Sequence, residues 1–127
     1  MAYRLEMTLF GLPKMTNRLT TLTHWERSTQ AKNWKIRVIN NVVINRGRPE
    51  KPLTKAKLTL LRFSSAKNCD YDGLVSGFKH IIDGLVAADI IANDTREVIG
   101  TPHYDHFKAP PGKGYVKIIV EEIVDGI

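Results

Sequence analysis

Three aspartates in the second half of the chain are the residues best suited to phosphate chemistry. Asp70 and Asp72 are two residues apart, and Asp94 follows a predicted helix. Two carboxylates with this spacing on an extended segment point to the same side. Magnesium takes hard oxygen ligands and is usually bound by few carboxylates, with waters completing the octahedron. The ion then polarises a phosphodiester and activates the nucleophile that hydrolyses it.

Lys79 is the candidate cation beside these carboxylates. It follows Asp72 by close to two helical turns, so a continuous helix would place both on one side, roughly 10 Å apart. A lysine there binds the scissile phosphate or stabilises its developing charge. The segment from Val86 to Asp94 can extend to about 26 Å, which exceeds the roughly 21 Å of the predicted helix. Asp94 can therefore return to the level of Asp70.

Each of these residues also has a purely structural interpretation. Asp70 or Asp72 is suited to cap a helix or to favour its dipole. Asp94 has the chemistry of a turn residue. Lys79 has the spacing of a surface ion pair with Asp83, which would contribute little free energy. These alternatives stay open until the positions of the side chains are known.

Basic charge is concentrated in the first half of the chain. Residues 1–67 contain fourteen Lys and Arg residues and three acids, whereas residues 68–127 contain five Lys and Arg residues and ten acids. The formal net charge of the whole chain is +6. This asymmetry favours a polyanionic partner such as DNA, met by one part of the molecule. A merely solvated basic surface is the alternative interpretation.

Alternating apolar and polar residues predict the strands that must support these side chains. Residues 3–10, 55–63 and 115–123 alternate, and each predicts a strand. Residues 96–107 predict a further strand. A Pro/Gly turn at 109–114 would join the last two strands as a hairpin.

Two helices are predicted from apolar residues that recur at three and four positions. The first begins near Ser28, a suitable N-cap, after a polar and basic loop over residues 14–27. The second runs from about Asp72 to Val86. Their apolar stripes are Ala31, Trp34, Val38 and Val42, widened by Ile39 and Val43, and then Leu74, Phe78, Ile81 and Leu85, flanked by Val75 and Ile82.

The order of these elements predicts the fold class. A chain of 127 residues has the length of one domain. Strand, helix, strand, helix and then two or three strands predict a single α+β domain over residues 1–127, with a mixed β-sheet packed against two main helices.

Three features of the sequence bear on where in the cell the protein is located. The chain has no apolar run of membrane-spanning length, and an early charge in its first residues is unlike a signal peptide. Cys69 is the only cysteine, so an internal disulfide is excluded. A lone thiol fits a reducing compartment. We expect a cytoplasmic protein without a membrane partner.

Three short motifs lie in order along the middle of the chain. They are residues 70–74 (DYDGL), residues 79–85 (KHIIDGL) and residues 91–98 (IANDTREV). An opening strand and turn, residues 8–13 (TLFGLP), precede them. Together these segments resemble the RusA family of Holliday junction resolvases. The resemblance touches nearly the whole chain, and the three motifs carry its specific part.

The resemblance implies a function and assigns roles to residues. It implies a homodimer that binds branched DNA, resolves four-way junctions by paired nicks, and uses Mg²⁺, or alternatively Mn²⁺, as cofactor. Asp70, Asp72 and Asp94 are then the catalytic carboxylates and metal ligands, and Lys79 is the catalytic or DNA-contacting lysine. Binding through phosphate contacts should weaken steeply with salt.

The motifs also depart from the family pattern. Gly73 stands where the family usually has asparagine, and Asn93 replaces the first residue of an acidic pair. The interval from Asp72 to the lysine is longer by about one helical turn. Ser76 would occupy the lysine position if no insertion is assumed, whereas Lys79 keeps the following motif in step. These departures support a second hypothesis, a non-catalytic or degenerate DNA-binding protein with the same fold. A third hypothesis is a generic interaction domain whose carboxylates are only caps.

Two other groups of residues invite a function. His103, Asp105 and His106 contain zinc-ligating side chains, but on a strand His106 would face away from the other two, and no fourth ligand has the spacing of a zinc site. Trp34 lies on an apolar stripe and is predicted to be in the core. Trp25 lies among polar residues and is a candidate for stacking on bases.

Overall fold

Alternating side chains produce the strands of a four-stranded sheet. In the computed structural model, which describes residues 2–13, 24–66 and 70–124, the strands are β1 (Arg4–Phe10), β2 (Ala56–Ser64), β3 (His103–Lys108) and β4 (Tyr115–Glu122). Strands β1, β2 and β4 bury every second residue on one face, which confirms the alternation predicted from the sequence. The buried apolar residues of that face are Leu5, Met7, Leu9, Ala56, Leu58, Leu60, Val116, Ile118 and Val120.

The strands are arranged in the order β1-β4-β2-β3. The pairs β1–β4 and β2–β4 are antiparallel, and β2–β3 is parallel, so the sheet is mixed as predicted. The predicted hairpin between the last two strands is wrong, because β4 inserts between β1 and β2 while β3 forms an edge. The three fully buried residues of β4 need neighbours on both sides, whereas the polar residues of β3 suit an edge strand.

Four helices accompany the sheet: α1 (His24–Ile44), α2 (Tyr71–Gly77), α3 (Lys79–Ala87) and α4 (Arg96–Ile99). The described residues thus form an α+β domain, as expected. Helix α1 buries Trp34, Val38 and Val42, which confirms the predicted stripe, whereas Val43 is exposed. No helix within the described ranges is both long and apolar enough to cross a membrane.

Helix α1 starts earlier in the sequence than predicted. The helix begins at His24 and not near Ser28, so residues 24–27 are not part of a loop. Its first turn and a half are exposed to solvent. Because no side chain there must be buried, these residues lack the regular spacing of apolar residues that predicts a helix. The remainder of the predicted loop, residues 14–23, lies outside the described residues.

Two further boundaries differ from prediction. The second predicted helix is divided at Phe78 into α2 and α3, although its stripe of Leu74, Phe78, Ile81 and Leu85 is buried as expected. The strand predicted over residues 96–107 is helical at first, as α4, and becomes β3 only from His103. Gly100, at a φ of 58°, ends α4 and permits this change of direction.

Helix α3 lies against α1 at a very short separation made possible by Gly84. A β-carbon added to Gly84 would lie 2.8 Å from the Cβ of Val38 and 3.3 Å from the Cα of Lys35. Val38 is fully buried, so its side chain has no free space into which to move. The contact therefore depends on the absence of a side chain at this position.

We expect Gly84→Ala to lower the free energy of unfolding by about 1–3 kcal/mol, because the two helices must separate to admit a methyl group. Denaturant unfolding of both proteins measures the change. Alanine is favoured over glycine inside a helix by about 1 kcal/mol, so a domain with spare room at this contact would instead become more stable. A stabilised variant would contradict the close packing described above.

Candidate functional site

A cleft of about 580 Å³ lies where α2, α3, α4 and β3 meet. The parallel pairing of β3 with β2 creates this junction, because the chain between the two strands must cross over as α2, α3 and α4. The residues that line the cleft are Tyr71, Val75, Ser76, Lys79, Ile82, Asp94, Arg96, Ile99, Gly100, Thr101, Pro102 and Tyr104. The cleft thus combines aromatic, aliphatic and charged side chains from several elements.

Two tyrosines form the aromatic part of the wall. The ring of Tyr71 meets the ring of Tyr104 nearly at right angles, with 6.1 Å between centroids. Tyr104 also contacts Phe78, whose ring is buried beneath it with centroids 6.0 Å apart. Burial raises the pKa of the Tyr104 hydroxyl, with a smaller contribution from Tyr71. Tyr104 therefore stays neutral, and Tyr71 is the more accessible ring, 59% exposed.

Lys79 lines the cleft from the first residue of α3. Its side chain is 67% exposed, and its Nζ lies 3.9 Å from Oδ2 of Asp83. This is the surface ion pair that the sequence spacing allowed, and at such exposure it holds the lysine only weakly. Ser76, the alternative to Lys79 in the motif, lines the same cleft and donates its hydroxyl to the carbonyl of Gly73. Both candidates for the lysine position of the motif, Ser76 and Lys79, therefore line the cleft, and of the two only Lys79 is charged.

Asp94 and Arg96 bring further charges to the cleft. The side chain of Asn93 accepts hydrogen bonds from the backbone N–H of Thr95, at 3.0 Å, and from its hydroxyl. This turn shapes the segment between the buried Ile91 and α4. The chain does return Asp94 towards the start of the preceding helices, because Asp94 and Tyr71 line one cleft.

Asp70 and Asp72 are placed differently from each other. Asp70 is the N-cap of α2, and its Oδ2 accepts a hydrogen bond from the N–H of Gly73 at 3.3 Å. Asp72 lies in the first turn of α2. The extended segment that was expected to hold both carboxylates ends at Asp70, so the alternation of a strand does not apply to this pair. The continuous helix expected to align Asp72 with Lys79 is likewise interrupted at Phe78.

The three candidate metal ligands do not form a preassembled group. Within residues 2–13, 24–66 and 70–124, no three His, Cys, Asp or Glu side chains are arranged to hold a metal ion. Asp94 lines the cleft, whereas Asp70 and Asp72 flank the lining residue Tyr71. Magnesium is often held by one or two carboxylates together with substrate phosphates and water. A magnesium ion at this cleft would therefore need substrate phosphates and water to complete its ligands, because the described carboxylates form no closed protein cage.

A second polar cluster lies on the same sheet face as Tyr104. Ser64 and His106 share a hydrogen bond of 2.6 Å between the hydroxyl and Nε2, and Ser64 is buried. Arg62 donates to the carbonyl of Pro13. His103 and Asp105 lie on the opposite face, with 3.8 Å between Nε2 and Oδ2. His106 therefore lies on the other face of β3 from His103 and Asp105, as the alternation of a strand predicted.

Three residues of the cleft were not identified from the sequence. Tyr71 lies between Asp70 and Asp72, and this position in the motif could have marked it as a site residue. Arg96 had the same kind of signal, because it follows Asp94 by two residues in the motif of residues 91–98, whereas Tyr104 had none and reaches the cleft only through the crossover from β2 to β3. Among the tryptophans, Trp34 is buried as expected, and Trp25 is 79% exposed on α1, away from the cleft.

Comparison of the chain with protein-family models found no match, and comparison with curated proteins also found none. The resemblance described from the motifs therefore rests on the residues of this chain.

The cap formed by Asp70 can be separated from any metal role by two substitutions. We expect Asp70→Ala to lower the free energy of unfolding by about 1 kcal/mol, because the N–H of Gly73 loses its acceptor. Asparagine caps a helix as well as aspartate does, so Asp70→Asn should unfold at nearly the denaturant concentration of the wild type. Equal stability of Asp70→Ala and wild type would show that the cap has no energetic role.

Two histidines make stability depend on pH. Burial is the main cause that lowers the pKa of both His80 and His106 below the ordinary 6.5, assisted by Lys79 at the first and Arg62 at the second. The unfolded chain then binds protons at a higher pH than the folded chain, so stability falls as pH drops below about 6.5. Unfolding at pH 7.5 and 5.5 should show this loss, and His80→Gln should reduce it. An unchanged pH dependence in His80→Gln would exclude His80 as a contributor.

Proposed function

We propose that this chain is a magnesium-dependent, structure-selective endodeoxyribonuclease that resolves four-way DNA junctions by paired nicks in recombination and repair. The single observation that carries the proposal is the shared cleft of Lys79 and Asp94, which come from two separate motifs of the RusA-like pattern. The motif that contains Asp70 and Asp72 begins the helix that supplies Tyr71 to the same cleft. Residues from three motifs thus line or adjoin one cleft, which supports the proposal.

The charges suit a nucleic acid substrate. Lys79 and Arg96 line the cleft, and Arg27, Lys32 and Lys35 are exposed on α1. Exposed cations of this kind contact the phosphate backbone without reading sequence. Binding to a junction should therefore weaken steeply as salt rises.

Each charged residue has a proposed part in the reaction. Lys79 contacts the scissile phosphate and stabilises the charge that develops on it. Asp94, with Asp70 and Asp72, is the proposed magnesium ligand set, and magnesium, or manganese in its place, would supply Lewis-acid polarisation of the phosphate. Paired nicks in a near-symmetric substrate need two copies of the cleft, so we propose that the working form is a cytoplasmic homodimer.

A second candidate is a DNA-binding protein with the same fold and no nuclease activity. The observation that favours it is the absence of a preassembled three-ligand group among the described residues. Such a protein would bind junctions equally well when magnesium is removed by a chelator. Cleavage therefore decides between the two candidates.

We expect the wild-type chain to nick a labelled four-way junction in magnesium, at paired positions, and to leave a linear duplex of the same sequence uncut. Asp70→Asn and Asp94→Asn should each reduce cutting by about 100-fold or more, as losses of electrostatic stabilisation do, while binding is retained. Lys79→Gln should reduce cutting similarly. The rate of product formation, followed by separating the labelled strands on a denaturing gel, measures these effects.

Matched variants guard the interpretation. Asp89→Asn removes an exposed carboxylate outside the cleft, at a left-handed position (φ 60°) that asparagine tolerates, and should cut normally. Lys113→Gln does the same for an exposed lysine of the turn before β4. Tight, salt-sensitive binding without any cutting would establish the second candidate, and the absence of both would remove both DNA functions.

A further inference from the structure

The cleft has the size and the lining of a small-molecule subsite. Its volume of about 580 Å³ falls in the range of pockets that enclose ligands of nucleotide size. Its apolar walls are formed by Val75, Ile82, Ile99 and Pro102. A surface that contacts only the phosphate backbone of DNA has no need of such walls. Its charged groups come from Lys79, Asp94 and Arg96, and Ser76 and Thr101 add hydroxyls. A ligand with one apolar, flat part and one anionic part matches this distribution.

The tyrosine pair leaves ring surface available for stacking. An edge-to-face contact, at 86° between the planes of Tyr71 and Tyr104, covers only one face of one ring. Tyr71 remains more than half exposed beside the cleft. A base that stacks on such a ring gains free energy without regard to its sequence, because every base has a π-face.

The two cations of the cleft stand at the first residues of different helices, Lys79 in α3 and Arg96 in α4. They therefore approach a bound anion from separate elements. An arginine offers two parallel N–H donors to a phosphate, and a lysine offers a mobile point charge. This combination recognises one phosphate group more specifically than a row of surface lysines does.

The other aromatic surface of the molecule lacks these properties. A row of Phe10, Tyr115, Phe63 and Phe107 crosses the sheet on the face opposite the core. Phe63 and Tyr115 stack on each other, with centroids 4.4 Å apart and planes 13° apart, so their facing surfaces are already used. The nearby Lys117 is ion-paired with Glu6 at 2.9 Å. Charge and ring geometry both favour the cleft.

We propose that the cleft binds one unstacked nucleotide, with its base against Tyr71 and Tyr104 and its phosphate contacted by Lys79 and Arg96. The inference rests on the proposed function and extends it: the nuclease takes a nucleotide out of the helical stack to cut beside it. Substrates whose bases are already unstacked, such as those at a branch point, then bind at a lower cost than a continuous duplex.

The test measures binding with a chelator present, so that no cleavage takes place. The probes are a short 5′-phosphorylated oligothymidylate and an abasic oligomer with the same number of phosphates, titrated into the full chain and followed by NMR. The wild type should bind the thymidylate about five-fold or more tightly than the abasic oligomer, through the stacked base. Amide shifts should concentrate on residues 71–82 and 94–104.

The variants separate the base contact from the phosphate contact. Tyr71→Ala should remove the preference for the thymidylate and leave abasic binding unchanged, and Tyr71→Phe should keep the preference. Arg96→Gln should weaken binding of both oligomers. Trp25→Ala and Phe107→Ala, at exposed aromatics outside the cleft, should behave as wild type.

Several results would overturn the subsite. Equal affinity of the wild type for the two oligomers would mean that no base is held. Loss of the preference in Trp25→Ala or Phe107→Ala, but not in Tyr71→Ala, would place the base elsewhere. These outcomes are independent of the nuclease proposal: junction cutting without a base preference removes the subsite alone, and a base preference without cutting removes the nuclease alone.

Discussion

Burial of Phe78 at the junction of α2 and α3 is the constraint on which the cleft depends. Its side chain is 1% exposed, and it lies where the backbone leaves one helix and enters the next. The N–H of Phe78 bonds to the carbonyl of Val75, and the N–H of Ile82 bonds to the carbonyl of Phe78. The backbone at the break is therefore hydrogen-bonded to the helices on both sides.

This constraint determines which side chains reach the cleft. Ser76 and Lys79 lie on either side of the break, three residues apart, and both line the cleft. The ring of Phe78 also contacts Tyr104, so aromatic contacts from Tyr71 and Phe78 join the helices to β3. The close contact of Gly84 with Val38 fixes α3 from its other face, against α1. The helices and the strand that form the cleft are thus packed against the rest of the domain.

Electrostatics follow from the same arrangement. The basic first half of the chain supplies the exposed cations of α1, whereas the acidic second half supplies the carboxylates around the cleft. The proposed anionic substrate would be attracted by the first and would meet Lys79 and Arg96 in the cleft of the second. A carboxylate beside a phosphate is unfavourable unless a metal ion lies between them, which gives the proposed magnesium its physical reason.

The sequence by itself determined the α+β class, the alternation of β1, β2 and β4 and the buried stripes of the helices, and it singled out Lys79 and Asp94, which line one cleft. These features follow from local periodicity and from the chemistry of single residues, which a chain carries without its fold. Only the tertiary structure decided the place of β4 between β1 and β2, the break at Phe78, and the meeting of Tyr71, Tyr104 and Arg96. Strand order and the walls of a cleft depend on which distant segments bury apolar surface together, and no local pattern records that choice.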